Sequence, residues 1–189
     1  IQRSEKRIIP DGNEMLEAGD EAYIVLDNAH LRRVMAAFGH LEKEARRIII
    51  SGGGNIGYAL VKTLGEKLRG VQIKVIEHNE KRAKFLSETL EDIVVLYGDT
   101  LDGNLLREAS IDRAEAYIAL MNDDESNILG SLLAKRYGCK RVLTLVNNNA
   151  YYPLVGPLGI DAMISPRSTI VSSIMQHVRR GSFRCDCAR

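Results

Sequence analysis

Three glycines at a fixed spacing, Gly52, Gly54 and Gly57, with the acid Glu77 twenty residues after the last, are the residues of this chain best placed to do chemistry. The apolar run Arg47-Ile48-Ile49-Ile50-Ser51 ahead of them reads as a buried strand, and a helix follows from about Asn55. In that setting each glycine serves a separate purpose. Gly52 permits the tight turn, Gly54 lets backbone approach a pyrophosphate, and Gly57 lets the helix pack close against the strand. The first amides of that helix lack intrahelical partners and carry the positive end of its dipole, so they favour an anion. Glu77 ends Val75-Ile76-Glu77, where a carboxylate accepts hydrogen bonds from ribose hydroxyls. The pattern therefore predicts a dinucleotide site. It favours NAD over NADP, whose 2′-phosphate would meet a like charge that His78, Lys81 and Arg82 only partly offset.

Gly98-Asp99 follows the next predicted strand and lies beside the adenine edge of such a pocket, where Asp99 contacts ribose or base or else caps the helix after it. Met121 and Asn122 follow the fourth strand, across the switch point from the glycine loop, and are expected to line the other half of the pocket. The acids Asp123, Asp124 and Glu125 read as first-turn capping residues, on the pattern Asn122-x-x-Glu125, and not as metal ligands. Tyr58 and Lys62 have the Tyr-x-x-x-Lys spacing of carbonyl-protonating pairs, but their place directly after the glycine loop keeps them from a nicotinamide. His30, His40, His78 and His177 fall on separate elements without ligand spacing, and Cys185-x-Cys187 offers only two ligands. No metal site and no catalytic residue is expected.

The elements that position these residues alternate. Strands at 47–51, 71–77, 93–97, 115–121 and 141–147 are separated by helices at 55–69, 79–90, 101–109 and 124–138. Ile160 to Ile164 offers a sixth strand, and Pro166 opens a helix to Arg180 with Ile170, Val171, Ile174 and Val178 as its apolar stripe, ended by Gly181. This is the rhythm of an α/β, doubly wound, Rossmann-like parallel sheet with strand order 3-2-1-4-5-6. Residues 1–39 read differently: a strand and turn at Ile8-Ile9-Pro10-Asp11-Gly12-Asn13, a strand at 22–26, and a helix from His30 to Phe38 closed by Gly39. Residues 40–46 form a polar linker, and the tail 182–189 has no periodicity and reads as disordered or extraneous.

A chain of 189 residues with 45% hydrophobic content has enough core for one full domain plus a fragment. Three cysteines form no even disulfide framework, and a net charge of +1 with scattered basic residues argues against a nucleic-acid surface. No apolar run approaches the length of a membrane span. The first residue is Ile1, which suggests a piece of a longer protein.

The stretches Ile50-Ser51-Gly52-Gly53-Gly54-Asn55-Ile56-Gly57, Glu77, Gly98-Asp99 with Leu105, Glu108, Ala109 and Ala114, and Leu120-Met121-Asn122-Asp123-Asp124-Glu125-Ser126-Asn127 together resemble the RCK (KTN, or TrkA-N) domain family that regulates potassium transport. The resemblance covers nearly everything but the last eight residues. It implies that residues 1–39 end a preceding small carboxyl-terminal (RCK_C) domain and that residues 47–181 are a complete nucleotide-binding (RCK_N) domain. It further implies that Gly52, Gly53, Gly54, Asn55, Ile56, Gly57, Glu77, Gly98, Asp99, Met121 and Asn122 bind NAD, NADH, ATP or ADP. Gly53 stands where many relatives have alanine, so a looser loop is expected. The function so implied is a cytoplasmic regulatory subunit, peripheral on the inner face of the membrane, that assembles as a dimer or tetramer and gates an integral-membrane potassium channel of the Trk type. The alternative is an NAD-dependent oxidoreductase whose substrate-binding part is missing, since a dehydrogenase needs a second body with an acid or base and residues 1–39 offer only His30.

Overall fold

The computed structural model describes residues 1–3, 6–39 and 44–179. Two compact units divide at residue 44. In the first, β1 (Gln2–Arg3) and β2 (Lys6–Arg7) pair antiparallel, Gln2 also bridges to Glu21, and a 3₁₀ turn (Asn28–His30) leads into α1 (Leu31–Ala37). Arg3 organises this unit: its guanidinium forks onto both oxygens of Asp20 at 2.8 Å and also reaches Glu17 and the Met15 carbonyl. Such a bidentate pair is among the strongest polar contacts a surface offers. The turn at Asp11 forms as expected, with its carboxylate accepting from the Asn13 amide.

Two expectations for this unit fail. The paired strands lie earlier than Ile8-Ile9, and residues 22–26 form no strand. Among the described residues only Gln2 pairs in this region, at Glu21, so Tyr23, Ile24 and Val25 have no ladder to join, and Val25 is fully exposed. β-propensity alone does not hold a strand without a neighbour to bond.

The second unit follows the predicted alternation closely. β3 (Arg47–Ser51), β4 (Gln72–Glu77), β5 (Ile93–Tyr97), β6 (Ala116–Ala119), β7 (Val142–Leu145) and β8 (Ala162–Ile164) form one parallel sheet in the order β5-β4-β3-β6-β7-β8. Counted within the unit this is 3-2-1-4-5-6, as the sequence implied. β3 pairs on one side with β4, placing Ile50 against Val75, and on the other with β6, placing Ile50 against Ile118.

The helices α2 (Asn55–Lys67), α3 (Glu80–Thr89), α4 (Gly103–Glu108), α5 (Asp124–Arg136), α6 (Tyr152–Val155) and α7 (Pro166–Arg179) complete it. Alternate residues of the central strands divide between two cores, as a sheet covered on both faces requires. Ile48, Ile50, Ile73, Val75 and Ile118 pack with Val61 of α2 and Leu86 of α3, whereas Ile49, Ile76, Tyr117, Ala119 and Val142 pack with Leu106 of α4 and Ala134 of α5. Sequence periodicity missed α6 and the 3₁₀ turn before it, Asn149–Tyr151, because they are too short to show a period. On α7 the apolar stripe is present but not covered: Ile170, Val171, Ile174 and Val178 are each more than half exposed. The expected helix end at Gly181, the tail from Ser182 and the linker residues 40–43 lie outside the described residues.

Candidate functional site

The reversal of winding falls between β3 and β6, and the loops leaving their carboxyl ends meet there. Ser51 accepts from the Leu120 amide at 2.7 Å, and Gly52 turns with φ +99°, a conformation that suits glycine. A Cβ on Gly52 would lie 2.8 Å from the Leu120 backbone and 2.9 Å from the Met121 nitrogen, so the two loops touch only because Gly52 has no side chain. Gly57 serves the close packing expected of it, since a Cβ there would overlap the Gly52 carbonyl. Gly53 is held just as closely: its Cβ position is filled by Leu86 of α3. The loop is therefore not loosened by the glycine that stands there. Leu86, fully buried, takes up the space.

Gly54 differs from the other three. A Cβ added to it would meet nothing within 4 Å. It is the N-cap of α2, in extended conformation and with no side-chain cap, so the amides of Asn55, Ile56 and Gly57 are left without an acceptor from that position. A helix start that is open, backbone-lined and uncapped is a cradle for an anion.

Glu77 lies at the end of β4 and is only 6% exposed. Both of its oxygens are engaged: Oε2 accepts from the Gly53 amide at 2.7 Å and Oε1 from the Asn79 amide at 2.9 Å, with His78 Nδ1 3.2 Å from Oε1. The acid expected for ribose thus also ties the glycine loop to the next strand. Arg82 of α3 holds the other side of the same residue, donating to the Gly53 carbonyl at 2.7 Å while lying over the rings of Phe85 and Tyr58. Tyr58 is absorbed in this aromatic contact, 5.9 Å from Phe85, and Lys62 is exposed, which leaves the Tyr-x-x-x-Lys spacing as packing.

Gly98, with φ +154°, packs over Leu105, and its amide donates to the Glu77 carbonyl. Asp99 is exposed and accepts from the Leu101 amide, while the cap of α4 itself is Asp102. Across the switch point Met121 is half-buried and Asn122 exposed. The N-cap of α5 is Asp123, which accepts from Ser126 and is held below the usual carboxylate range by that residue; the cap thus falls one residue later than the pattern Asn122-x-x-Glu125 implied.

Sequence reading missed two positioning residues here. Asn127, fully buried in α5, accepts from the Met121 amide and donates to the carbonyls of Met121 and Leu145, which pins the loop after β6. Asp124 does more than cap: nearly buried, it accepts from the backbone amides of Asn147 and Asn148 and from the Asn147 side chain, fixing the loop after β7. The signal was available, since an asparagine and an aspartate on the buried face of a helix require partners. Glu125 meets the Tyr151 hydroxyl. Among the described residues no group of three or more His, Cys, Asp or Glu is placed to hold a metal ion, and no helix is long and apolar enough to cross a membrane. His40, Cys185 and Cys187 lie outside the described residues.

Sheet order, glycine turn and strand-end acid together define a Rossmann-like domain with its loops gathered at the switch point. The chain belongs to the TrkA-N domain family, which it matches over residues 48–166. It is 44% identical over 181 residues to the Trk system potassium uptake protein TrkA of Halomonas elongata and 43% identical over 184 residues to that of Azorhizobium caulinodans. These alignments cover 96% and 97% of this chain but 39% and 40% of the relatives, so it spans about two fifths of the curated relatives it matches. Among solved structures, the GsuK RCK domain is similar with a TM-score of 0.59 and 30% identity, over 79% of this chain and 32% of that one. GsuK bound to ADP is similar with a TM-score of 0.57 and 31% identity, over 70% and 34%. The TrkA-N domain of Escherichia coli ybaL, at 13% identity and a TM-score of 0.64, covers 72% of this chain and 99% of that one and shares the fold.

Proposed function

We propose that this chain is the adenine-nucleotide-sensing part of a regulatory subunit for potassium uptake, and that it performs no catalysis. The observation that carries the nucleotide reading is Gly54. Gly52, Gly53 and Gly57 each avoid a collision within the protein, whereas nothing in the protein surrounds the Cβ position of Gly54. A glycine that no internal neighbour demands, at an uncapped helix start, is accounted for by a ligand whose phosphates come up against the backbone.

In this reading Gly52 to Gly57, including Asn55 and Ile56, receive the phosphates of NAD, NADH, ATP or ADP. Glu77 receives the ribose hydroxyls, Gly98 and Asp99 border the adenosine half, and Met121 and Asn122 line the far side. The kinship with TrkA proteins and the likeness to a GsuK structure bound to ADP support it. Residues 1–39 then end a preceding RCK_C domain and residues 40–46 link it to the nucleotide domain. The uncovered stripe of α7 supports pairing of nucleotide domains into a dimer or tetramer, and ligand-dependent rearrangement of the pair is passed to an integral-membrane Trk-type channel from the cytoplasmic face of the membrane.

Calorimetric titration with NAD, NADH, ATP and ADP tests the reading, repeated on Gly54→Ala. Binding that is lost in a variant with unchanged thermal stability supports it. Equal binding by Gly54→Ala, or nucleotide turnover by the parent, overturns it.

A further inference from the structure

At the opposite end of the sheet, one lysine is out of keeping with its strand. β4 lies between β3 and β5, and a strand covered on both faces is expected to carry apolar residues throughout. Ile73, Val75 and Ile76 meet that expectation, but Lys74 occupies the α4 face of β4, in register with Ile49. Its ammonium is half-buried and donates to the carbonyl of Ala109, where α4 ends, at 2.8 Å. That accounts for one of its three N–H donors. Among the described residues no carboxylate forms an ion pair with it.

Lys74 also lines a cavity of about 320 Å³ under the amino ends of β3 and β4, walled by the turn that follows α4. This is the lower end of the range of ligand pockets, roughly 300–1,000 Å³. Arg47 and Arg113 border it, with Gln72 and Ser110 as neutral polar groups. The charge of Arg47 is matched by Glu115 at 2.8 Å. Arg113 has only Asp112, at 4.0 Å, and its side chain is 80% exposed. Two positive charges, on Lys74 and Arg113, therefore border the cavity without a close counter-charge. An arginine fork beside an ammonium suits a phosphate group.

From this juxtaposition we infer a second ligand site, distinct from the glycine loop, that takes a small molecule bearing a phosphomonoester dianion. Lys74 meets the phosphate from the floor and Arg113 from the rim. The site stands about 13 Å from the glycine loop along β3, four residue steps of roughly 3.3 Å, so one ligand does not span both.

The test is amide chemical-shift mapping of the protein with glycerol 3-phosphate at neutral pH and constant ionic strength, with inorganic phosphate as the second probe. Saturable shifts at Lys74, Ser110 and Arg113 are expected with the ester, and its affinity is expected to fall about tenfold or more in both Lys74→Met and Arg113→Gln, as for loss of a charged hydrogen bond. Arg113→Gln alters an exposed side chain, so it reports on the site even where Lys74→Met disturbs the end of α4. The inference is overturned by an absence of saturable shifts, by shifts confined to Gly52–Gly57, by binding of inorganic phosphate without the ester, or by an Arg113→Gln protein that binds like the parent.

Discussion

Glu77→Gln separates the two roles that the structure assigns to this side chain. Both carboxylate oxygens accept from backbone amides, Gly53 at 2.7 Å and Asn79 at 2.9 Å, and the residue is 6% exposed. Glutamine offers one acceptor oxygen and one amino group, so in either orientation an N–H is turned toward an N–H. An unmatched buried donor costs about 1–3 kcal/mol. For a domain of about 150 residues, with roughly 2–4 °C per kcal/mol, the melting temperature should fall by about 2–12 °C. If ribose hydroxyls also bond this carboxylate, losing a charge-assisted bond worth about 1.5–3 kcal/mol weakens ADP or NAD roughly 10- to 150-fold. Circular dichroism melting and calorimetric titration at a temperature where the variant is fully folded read the two effects separately. An unchanged melting temperature refutes the clamp on the glycine loop, and a lowered one with unchanged affinity refutes the ribose contact. Gly54→Ala should show the converse, stability kept and affinity lost.

Gly53→Ala should destabilise by about 1–3 kcal/mol, because its Cβ competes with Leu86 for the same space, and Leu86→Val in the same chain should restore part of the loss; additive urea midpoints would refute that contact. Asp124→Ala removes the acceptor of three N–H groups and should cost about 2–4 kcal/mol, with faster hydrogen exchange at Asn147 and Asn148; unchanged exchange there would sink the assignment. The Arg3 guanidinium holds the Asp20 carboxyl at about 2, below its ordinary 3.8. Because the folded value is the lower one, the stabilisation by this pair is fully present above about pH 4 and is lost as pH falls through about 2. Carboxyl NMR titration of Asp20 checks it, and a midpoint near 4 would be the contrary result.

The doubly wound sheet was legible because each central strand is an apolar run closed by turn residues and each helix is long enough to show its period. The site was legible in outline for a different reason: Gly52 and Gly57 are there for backbone geometry, and their spacing records it. What spacing does not record is which atoms a side chain spends on its own protein. Glu77 looked like a ribose acceptor, yet its oxygens are both engaged by backbone in the unliganded fold. Asp124 looked like a dipole-matching acid, yet it holds a loop that begins twenty-three residues later. Gly53 looked like a loosening of the turn, yet Leu86 occupies the vacated volume. The strand expected at residues 22–26 failed for the same kind of reason, since a strand depends on a neighbour that its own residues do not specify.

These contacts also bound what one nucleotide can do in the proposed switch. The Gly53 peptide is gripped on both sides, its N–H by Glu77 and its C=O by Arg82, while Gly52 donates to the Ile76 carbonyl. Ribose that takes a Glu77 oxygen must share it with Gly53 or displace it, so ligand binding and loop position compete for one acceptor. The differential energy available from one such exchange is that of a charged hydrogen bond, about 1.5–3 kcal/mol. Driving a gate from 1:99 to 99:1 takes about 5.5 kcal/mol, a preference near 10⁴-fold. One site therefore falls short, and two to four coupled copies reach it. A regulator built on this loop has to act as an assembly, which is the role the uncovered stripe of α7 is proposed to serve.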